Sequence, residues 1–271
     1  MESSELMPTV LPVKVGRRAG SAFELPHVLF LSLVFPTKQS HDGHLFFELA
    51  EMLVRNDLNV RVVATSAGLG DEKEEECDCS FGESQLQVVR VGGKRYRGPS
   101  TWRKTANYLR AYPVLLWRAL RVSRPKVVVT LTAPPLLLIF GPLIKAITKC
   151  RLIHWSQDLY PEIAEELGAI KKGGIFAGFL RLLSTWALKR HDTIVAIGSC
   201  MKRTLVQRGI APAKIVVIPN WAQKVLYETT DETSGRLGTK GDLGEKFIVM
   251  YSGNFGLAHC FEAIAEGERR R

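Results

Sequence analysis

Apolar runs of strand length alternate with amphipathic segments of helical period along most of the chain. His27 to Val34 (HVLFLSLV) is nearly continuous in apolar residues, the pattern of a strand covered on both faces. After the Phe35-Pro36 break, Leu45, Phe46, Leu49, Met52 and Leu53 recur at three- and four-residue spacing, which predicts a helix with one apolar face. Asn59 to Thr65 (NVRVVAT) restarts a strand, so the fold opens on a βαβ unit, whose crossover is right-handed almost without exception. Further strands are expected at Gln85 to Val91, Lys126 to Leu131, Arg151 to Ser156, Asp192 to Ile197 and Lys214 to Ile218. Helices are expected at Trp102 to Val122, Leu136 to Thr148, Phe176 to Lys189 and Met201 to Gly209. This alternation predicts an α/β fold, a doubly wound parallel sheet with helices on both faces and ligands outside the carboxyl ends of its strands.

The pattern also divides the chain. Residues 1–24 lack periodicity and read as a loose leader, and 25–222 hold the complete Rossmann-like domain. Gln223 to Lys246 is polar and glycine-rich, a linker composition. Phe247 to Tyr251 then restarts a buried strand, Ser252 to Gly256 makes a turn, and Leu257 to Glu266 begins a helix. Residues 247–271 are expected to open a second domain that is too short here to close its own core. Two stretches imitate membrane segments. Leu25 to Thr37 follows Lys14, Arg17 and Arg18 but has no small-residue cleavage pattern after it, and reads as the first strand. Val127 to Ile144 is uncharged and long enough to raise a spanning helix. Its β-branched start and Pro134, Pro135, Gly141 and Pro142 read better as strand, turn and helix.

At 271 residues with 46% hydrophobic and 24% charged positions, the chain is an ordinary globular one, which excludes disordered, collagen-like and disulfide-scaffold classes. The 5 cysteines form neither a disulfide framework nor a four-ligand zinc pattern, and point to a reducing cytosol. Cys77 and Cys79 adjoin the acidic run Asp71 to Glu76 and are expected in a solvated loop. Lys+Arg 37 against Asp+Glu 27 gives a net charge of +10, which favours anionic partners. The excess is local. Between Glu83 and Asp158 there is no acidic residue, whereas Arg90, Lys94, Arg95, Arg97, Arg103, Lys104, Arg110, Arg118, Arg121, Arg124, Lys126, Lys145, Lys149 and Arg151 fall there. Trp102, Tyr108, Tyr112 and Trp117 interleave with them. A solvated helix face, an anionic membrane surface and nucleic acid all fit this stretch, and no helix-turn-helix, RRM, KH or zinc-finger pattern accompanies it.

Two loops carry candidate chemistry. Gly43 lies where the first helix opens, so it suits either a phosphate held by free backbone N–H groups or a plain turn. No GxGxxG fingerprint is present. His154-Trp155-Ser156-Gln157-Asp158-Leu159-Tyr160-Pro161-Glu162 is the densest polar cluster at a strand end. Asp158, Glu162 and His154 there could position or deprotonate a sugar hydroxyl. Equally, the carboxylates complement a helix dipole while His154 packs inside the strand.

Three strings resemble family 4 glycosyltransferases, and within them the bacterial branch that builds capsule, O-antigen and exopolysaccharide sugars: Ile153 to Glu162, Ile215 to Trp221, and Val249 to Gly256 with His259. The resemblance implies a GT-B enzyme with two Rossmann-like domains facing a cleft, transferring a sugar from a nucleotide-sugar donor with retention and without a metal or other cofactor. It places Asp158 with Glu162 near the acceptor, and with the strand-end cluster read above these two are the expected catalytic residues, His154 joining them in acceptor binding. It places Gly43, Gly253, Asn254 and Gly256 at the donor diphosphate, where backbone N–H groups would stabilise the leaving group, and Asn220 at the interdomain crossing. The implied partners are a nucleotide sugar and a lipid-linked or glycan acceptor; the basic stretch adds an anionic membrane surface and the short second domain a separately encoded donor domain as expected partners. The expected location, from the cysteines and the basic stretch, is the cytoplasm, either free or peripheral on the inner face of the cell membrane.

The chain departs from the family pattern in places. Its first loop carries Gly43 without a second glycine, and Trp221-Ala222-Gln223 follows Pro219-Asn220 where an aspartate is common. The family's diphosphate-binding basic residues and its E-x7-E glutamates are expected beyond Arg271, since Glu262 and Glu266 are too early and wrongly spaced. The chain is therefore expected to be truncated early in the donor domain and inactive alone. A non-catalytic acceptor- or membrane-binding module, a degenerate remnant, and a nucleic-acid binder that uses the basic patch are the other readings.

Overall fold

The apolar runs form a sheet whose central strands are buried on both sides. A computed structural model describes residues 26–32, 41–65, 76–81, 84–91, 112–121, 124–132 and 136–221. Its strands are β1 (Val28–Ser32), β2 (Val60–Thr65), β3 (Glu76–Phe81), β4 (Ser84–Val91), β5 (Val127–Leu131), β6 (Arg151–Ser156), β7 (Thr193–Ala196) and β8 (Ile215–Val217). They lie in the order β3-β4-β2-β1-β5-β6-β7-β8. All neighbours pair parallel except β3, which runs antiparallel to β4 at one edge. The helices are α1 (His41–Arg55), α2 (112–121), α3 (Phe140–Thr148), α4 (Glu162–Glu166), α5 (Ile175–Arg190) and α6 (Ser199–Gln207). A single 3-10 turn, Leu137–Ile139, leads into α3.

On one face, Phe30, Val62, Val88, Val129 and Trp155 meet Leu45, Phe46, Ala50 and Val54 of α1. The Phe30 and Phe46 rings pack at 4.7 Å between centroids. On the other face, Leu29, Leu31, Val63, Val128 and Leu152 meet Leu115 and Ala119 of α2 and Ile144 of α3. That second face continues through Ile194, Ala196 and Ile215, which are covered by Ala187 and Leu188 of α5 and Leu205 of α6. The register His154↔Ile194 carries it from β6 to β7. Chain order reverses between β1 and β5, so the crevice outside their carboxyl ends is the topological switch point, where sheets of this class bind ligands.

The predicted parallel α/β architecture is therefore present, with differences of detail. Cys77 and Cys79, expected in a solvated loop, instead lie in edge strand β3. Cys77 is in register with Val88 and Cys79 with Leu86 of β4. Met52, expected on the apolar face of α1, is exposed, because Ala50 and Val54 take the inward positions. The uncharged run Val127 to Ile144 divides into β5, the 3-10 turn and the first part of α3. Among the described residues no helix is long and apolar enough to cross a membrane. The expected leader at 1–24, the linker at 223–246, the second-domain opening at 247–271 and the first half of the helix at Trp102 to Val122 lie outside the described residues.

Candidate functional site

The carboxyl ends of β5, β6 and β8 converge on the loop that follows β6. Thr132, one residue past β5, is buried, and its hydroxyl accepts the backbone N–H of Gln157 at 2.8 Å and of Asp158 at 3.4 Å. The same hydroxyl donates to the Trp155 carbonyl at 3.4 Å. Ser156 donates through Oγ to the Asp158 carbonyl at 3.1 Å, which folds the loop back on its own strand. Asn220, just beyond β8, donates from Nδ2 to Gln157 Oε1 at 2.8 Å. Asp158 is thus half-buried at the mouth of the sheet, on a loop fixed by β5, β6 and the segment after β8.

Glu162 opens α4 just after Pro161, but it points into a charged clamp. Arg181 of α5 donates from Nε to Glu162 Oε1 at 3.0 Å and pairs with Glu165 through its second nitrogen. Arg208, directly after α6, pairs with the other Glu162 oxygen and reaches the Tyr160 carbonyl at 3.4 Å. Burial of that guanidinium lowers its pKa to about 10. Glu165 accepts the Gly173 N–H at 2.8 Å and so closes the loop between α4 and α5. Local reading of the sequence identified Glu162 without its partners, because Arg181 and Arg208 come from elements further along the chain.

His154 lies in the interior, 1% exposed, rather than at the mouth. Its Nδ1 is 3.0 Å from the Thr130 carbonyl, and its ring meets that of His191 edge-on at 5.5 Å. His191 is also fully buried, donates from Nδ1 to the Ala187 carbonyl at 2.9 Å, and lies 3.3 Å from the Thr130 hydroxyl through Nε2. Burial above all drives His154 down to about 3, with the neighbouring His191 adding to the shift. Burial likewise drives His191 down to about 4. Both rings are neutral core groups that hold β5, β6 and the end of α5 together. Packing inside the strand, one of the two alternatives for His154, is what the structure contains, and it takes the ring out of reach of an acceptor.

Gly43 is the third residue of α1, so its backbone stands in the first turn of the helix that follows β1. Gly253, Asn254 and Gly256 lie outside the described residues. Trp221, noted in the sequence only as the end of a family-like string and as a departure from the family pattern, closes this end of the α1 face. Its indole stacks on Trp155 at 5.9 Å and donates from Nε1 to Glu48 Oε2 at 2.6 Å. Behind this pair is an apolar cavity of about 350 Å³, bounded by Val129, Ile153, Val195 and Leu49 among others.

Residues 45–221 match the family model for the glycosyl transferase 4-like domain. The chain belongs to that family, the family 4 glycosyltransferases, and carries its domain on a Rossmann-like parallel sheet. It is 28% identical over 145 residues, 53% of its own length, to the probable glycosyltransferase WbjE of Pseudomonas aeruginosa, of which it covers 36%. Among solved structures it is similar to the trehalose-6-phosphate protein of E. coli bound with UDP-2-fluoro glucose, with a TM-score of 0.46 and 10% identity, over 72% of this chain and 49% of that one. Anabaena HepE in complex with UDP-glucose gives a TM-score of 0.43 and 11% identity, over 74% and 45% of the two chains. The chain spans less than half the length of these relatives.

Proposed function

We propose that the chain is the acceptor-side domain of a GT-B glycosyltransferase that transfers a sugar, with retention, from a nucleotide-sugar donor to a lipid-linked or polysaccharide acceptor. The observation that carries this reading is the convergence of Thr132, Gln157, Asp158 and Asn220 on the switch-point end of a sheet whose residues 45–221 match the family. Asp158 is the carboxylate at that mouth, and it positions or deprotonates the acceptor hydroxyl. Glu162 serves by holding the Asp158 loop against Arg181 and Arg208. Gly43 offers backbone N–H groups of the first α1 turn to the donor diphosphate. Gly253, Asn254 and Gly256 face the diphosphate from the donor domain, to which 247–271 contributes the opening. Asn220 lies at the crossing between domains. The site works at the inner face of the cell membrane, and the basic stretch ahead of Asp158 meets anionic lipid. Trp117 on α2 supports that contact, since it is exposed with the Arg121 guanidinium 3.9 Å above its ring.

Sugar transfer with a panel of nucleotide sugars and membrane-extracted acceptors, with the chain alone and with a donor domain supplied separately, tests this function. Transfer is expected once the donor domain is present, and Asp158→Asn should lower its rate by roughly a hundredfold or more. Absence of transfer in both arrangements refutes the enzyme reading.

A further inference from the structure

The outer surface of α5 inverts the usual arrangement of a surface helix. Ala177, Ser184, Ala187 and Leu188 face the protein, whereas Ile175, Phe176, Phe179 and Leu182 are 57 to 96% exposed and Trp186 is exposed beside them. Positions 175, 179, 182 and 186 follow helical spacing, so these side chains form a single ridge. No acidic residue occurs between Ile175 and Arg190. The ridge is bracketed by cations, with Lys171 and Lys172 before it and Lys189 and Arg190 in its last turn. Arg190 lies 4.2 Å over the Trp186 ring, and Lys172 shares the carboxylate of Glu166 at 2.6 Å. The neighbouring helices extend the pattern. α2, α3 and α5 cover the same sheet face, where α3 exposes Leu143 and Ile147 and α2 exposes Trp117 beneath Arg121.

We infer that this helical layer lies on an anionic membrane surface, with α5 embedded in the plane of the interface. An apolar ridge ending in cations matches acyl chains below and lipid phosphates around them, the arrangement of interfacial helices. With 16 residues α5 is about 24 Å long, too short to span a hydrocarbon core and suited to lying along it. Aromatic rings that carry a cation on one face, as Trp117 and Trp186 do, suit the headgroup level. The inference deepens the membrane element of the proposed function. It moves the main contact from the acid-free stretch ahead of Asp158 to the exposed side of α5.

Vesicle co-sedimentation of the full chain tests it, using equal parts phosphatidylglycerol and phosphatidylcholine against phosphatidylcholine alone. The wild-type chain should bind the anionic vesicles, and the I175S/F176S/F179S/L182S variant should lose at least about tenfold in partition. These side chains are exposed, and circular dichroism with a urea midpoint checks that the variant folds. K171Q/K172Q/K189Q/R190Q should weaken binding to the extent that raised salt weakens the wild type. Failure of the wild type to bind anionic vesicles overturns the inference, as does unchanged binding by the serine variant. A lipid-free dimer that the serine variant dissolves also overturns it, because the ridge would then be an interface between copies. Vesicle binding needs neither donor nor turnover, so its loss is separable from loss of sugar transfer.

Discussion

Lowering the pH from 7 to 5 should remove about 4 kcal/mol of stability through His154 and His191. Both rings are buried, and each uses its Nδ1 on a backbone carbonyl, Thr130 for one and Ala187 for the other. Burial is the largest cause of both shifts, which reach about 3 for His154 and about 4 for His191. Around His191, Asp192 favours the charged ring while Lys145 and Lys214 oppose it. The unfolded chain has ordinary imidazoles that titrate near 6.5. Because the folded values are depressed, the unfolded state binds protons first as pH falls. Stability is therefore complete above about 6.5 and is lost progressively down to the folded values. At pH 5, about 1.5 units below the unfolded value, each histidine favours unfolding by about 2 kcal/mol. Asp192 does not confuse the measurement, since its pKa is lowered from 3.8 and it stays ionised throughout the window. Urea unfolding followed by circular dichroism at pH 7, 6 and 5 reads the effect. His154→Gln and His191→Gln should each be less stable at pH 7 yet show about half the wild-type pH dependence. A wild-type change below about 1 kcal/mol, or a slope unaltered in both variants, would refute the reasoning.

Gly141→Ala reverses an ordinary expectation. Alanine normally adds about 1 kcal/mol in a helix, but here the new Cβ would stand 3.0 Å from both His191 Nε2 and a Leu152 methyl, so thermal denaturation should show a net loss of about 1 kcal/mol. Arg208→Met should cost about 2 kcal/mol by urea titration, because Glu162 loses one cation and the Tyr160 carbonyl its donor. Trp221→Ala should cost about 2 kcal/mol by removing the stack on Trp155 and the bond to Glu48, whereas Trp221→Phe keeps the stack and should recover about half in a thermal melt.

The sheet was legible because parallel strands covered on both faces are mostly apolar, and β1 and β5 are apolar apart from Ser32 and Thr130. Strand β3 was hidden for the opposite reason. Glu76, Asp78 and Ser80 give it the composition of a loop, and only its pairing to β4 at the edge of the sheet makes it a strand. The same two-sided burial explains His154. In a strand covered on both faces, alternation cannot separate an inward side chain from one aimed at a ligand, and only the ring of His191, brought in by the end of α5, decides it. Glu162 was found as a carboxylate near a strand end, but its counter-charges are set by tertiary packing of α5 and α6, which no local pattern encodes.

Those distant partners explain how the mouth of the sheet can be both polar and ordered. Loops usually owe their mobility to backbone groups that only water satisfies. In the loop after β6, the N–H groups of Gln157 and Asp158 are held by Thr132, the Asp158 carbonyl by Ser156, and the Tyr160 carbonyl by Arg208. Each anchor comes from a different place in the sequence: the end of β5, the end of β6 and the residue following α6. The clamp of Arg181 and Arg208 on Glu162 then fixes the start of α4. Asp158 therefore stands on backbone that the fold itself positions, so under the proposed function little ordering remains to oppose acceptor binding. The two glutamates and two arginines set that geometry as a group, so under the proposed function a change at Arg208, away from the strand ends, should lower the transfer rate measured with a supplied donor domain along with the stability.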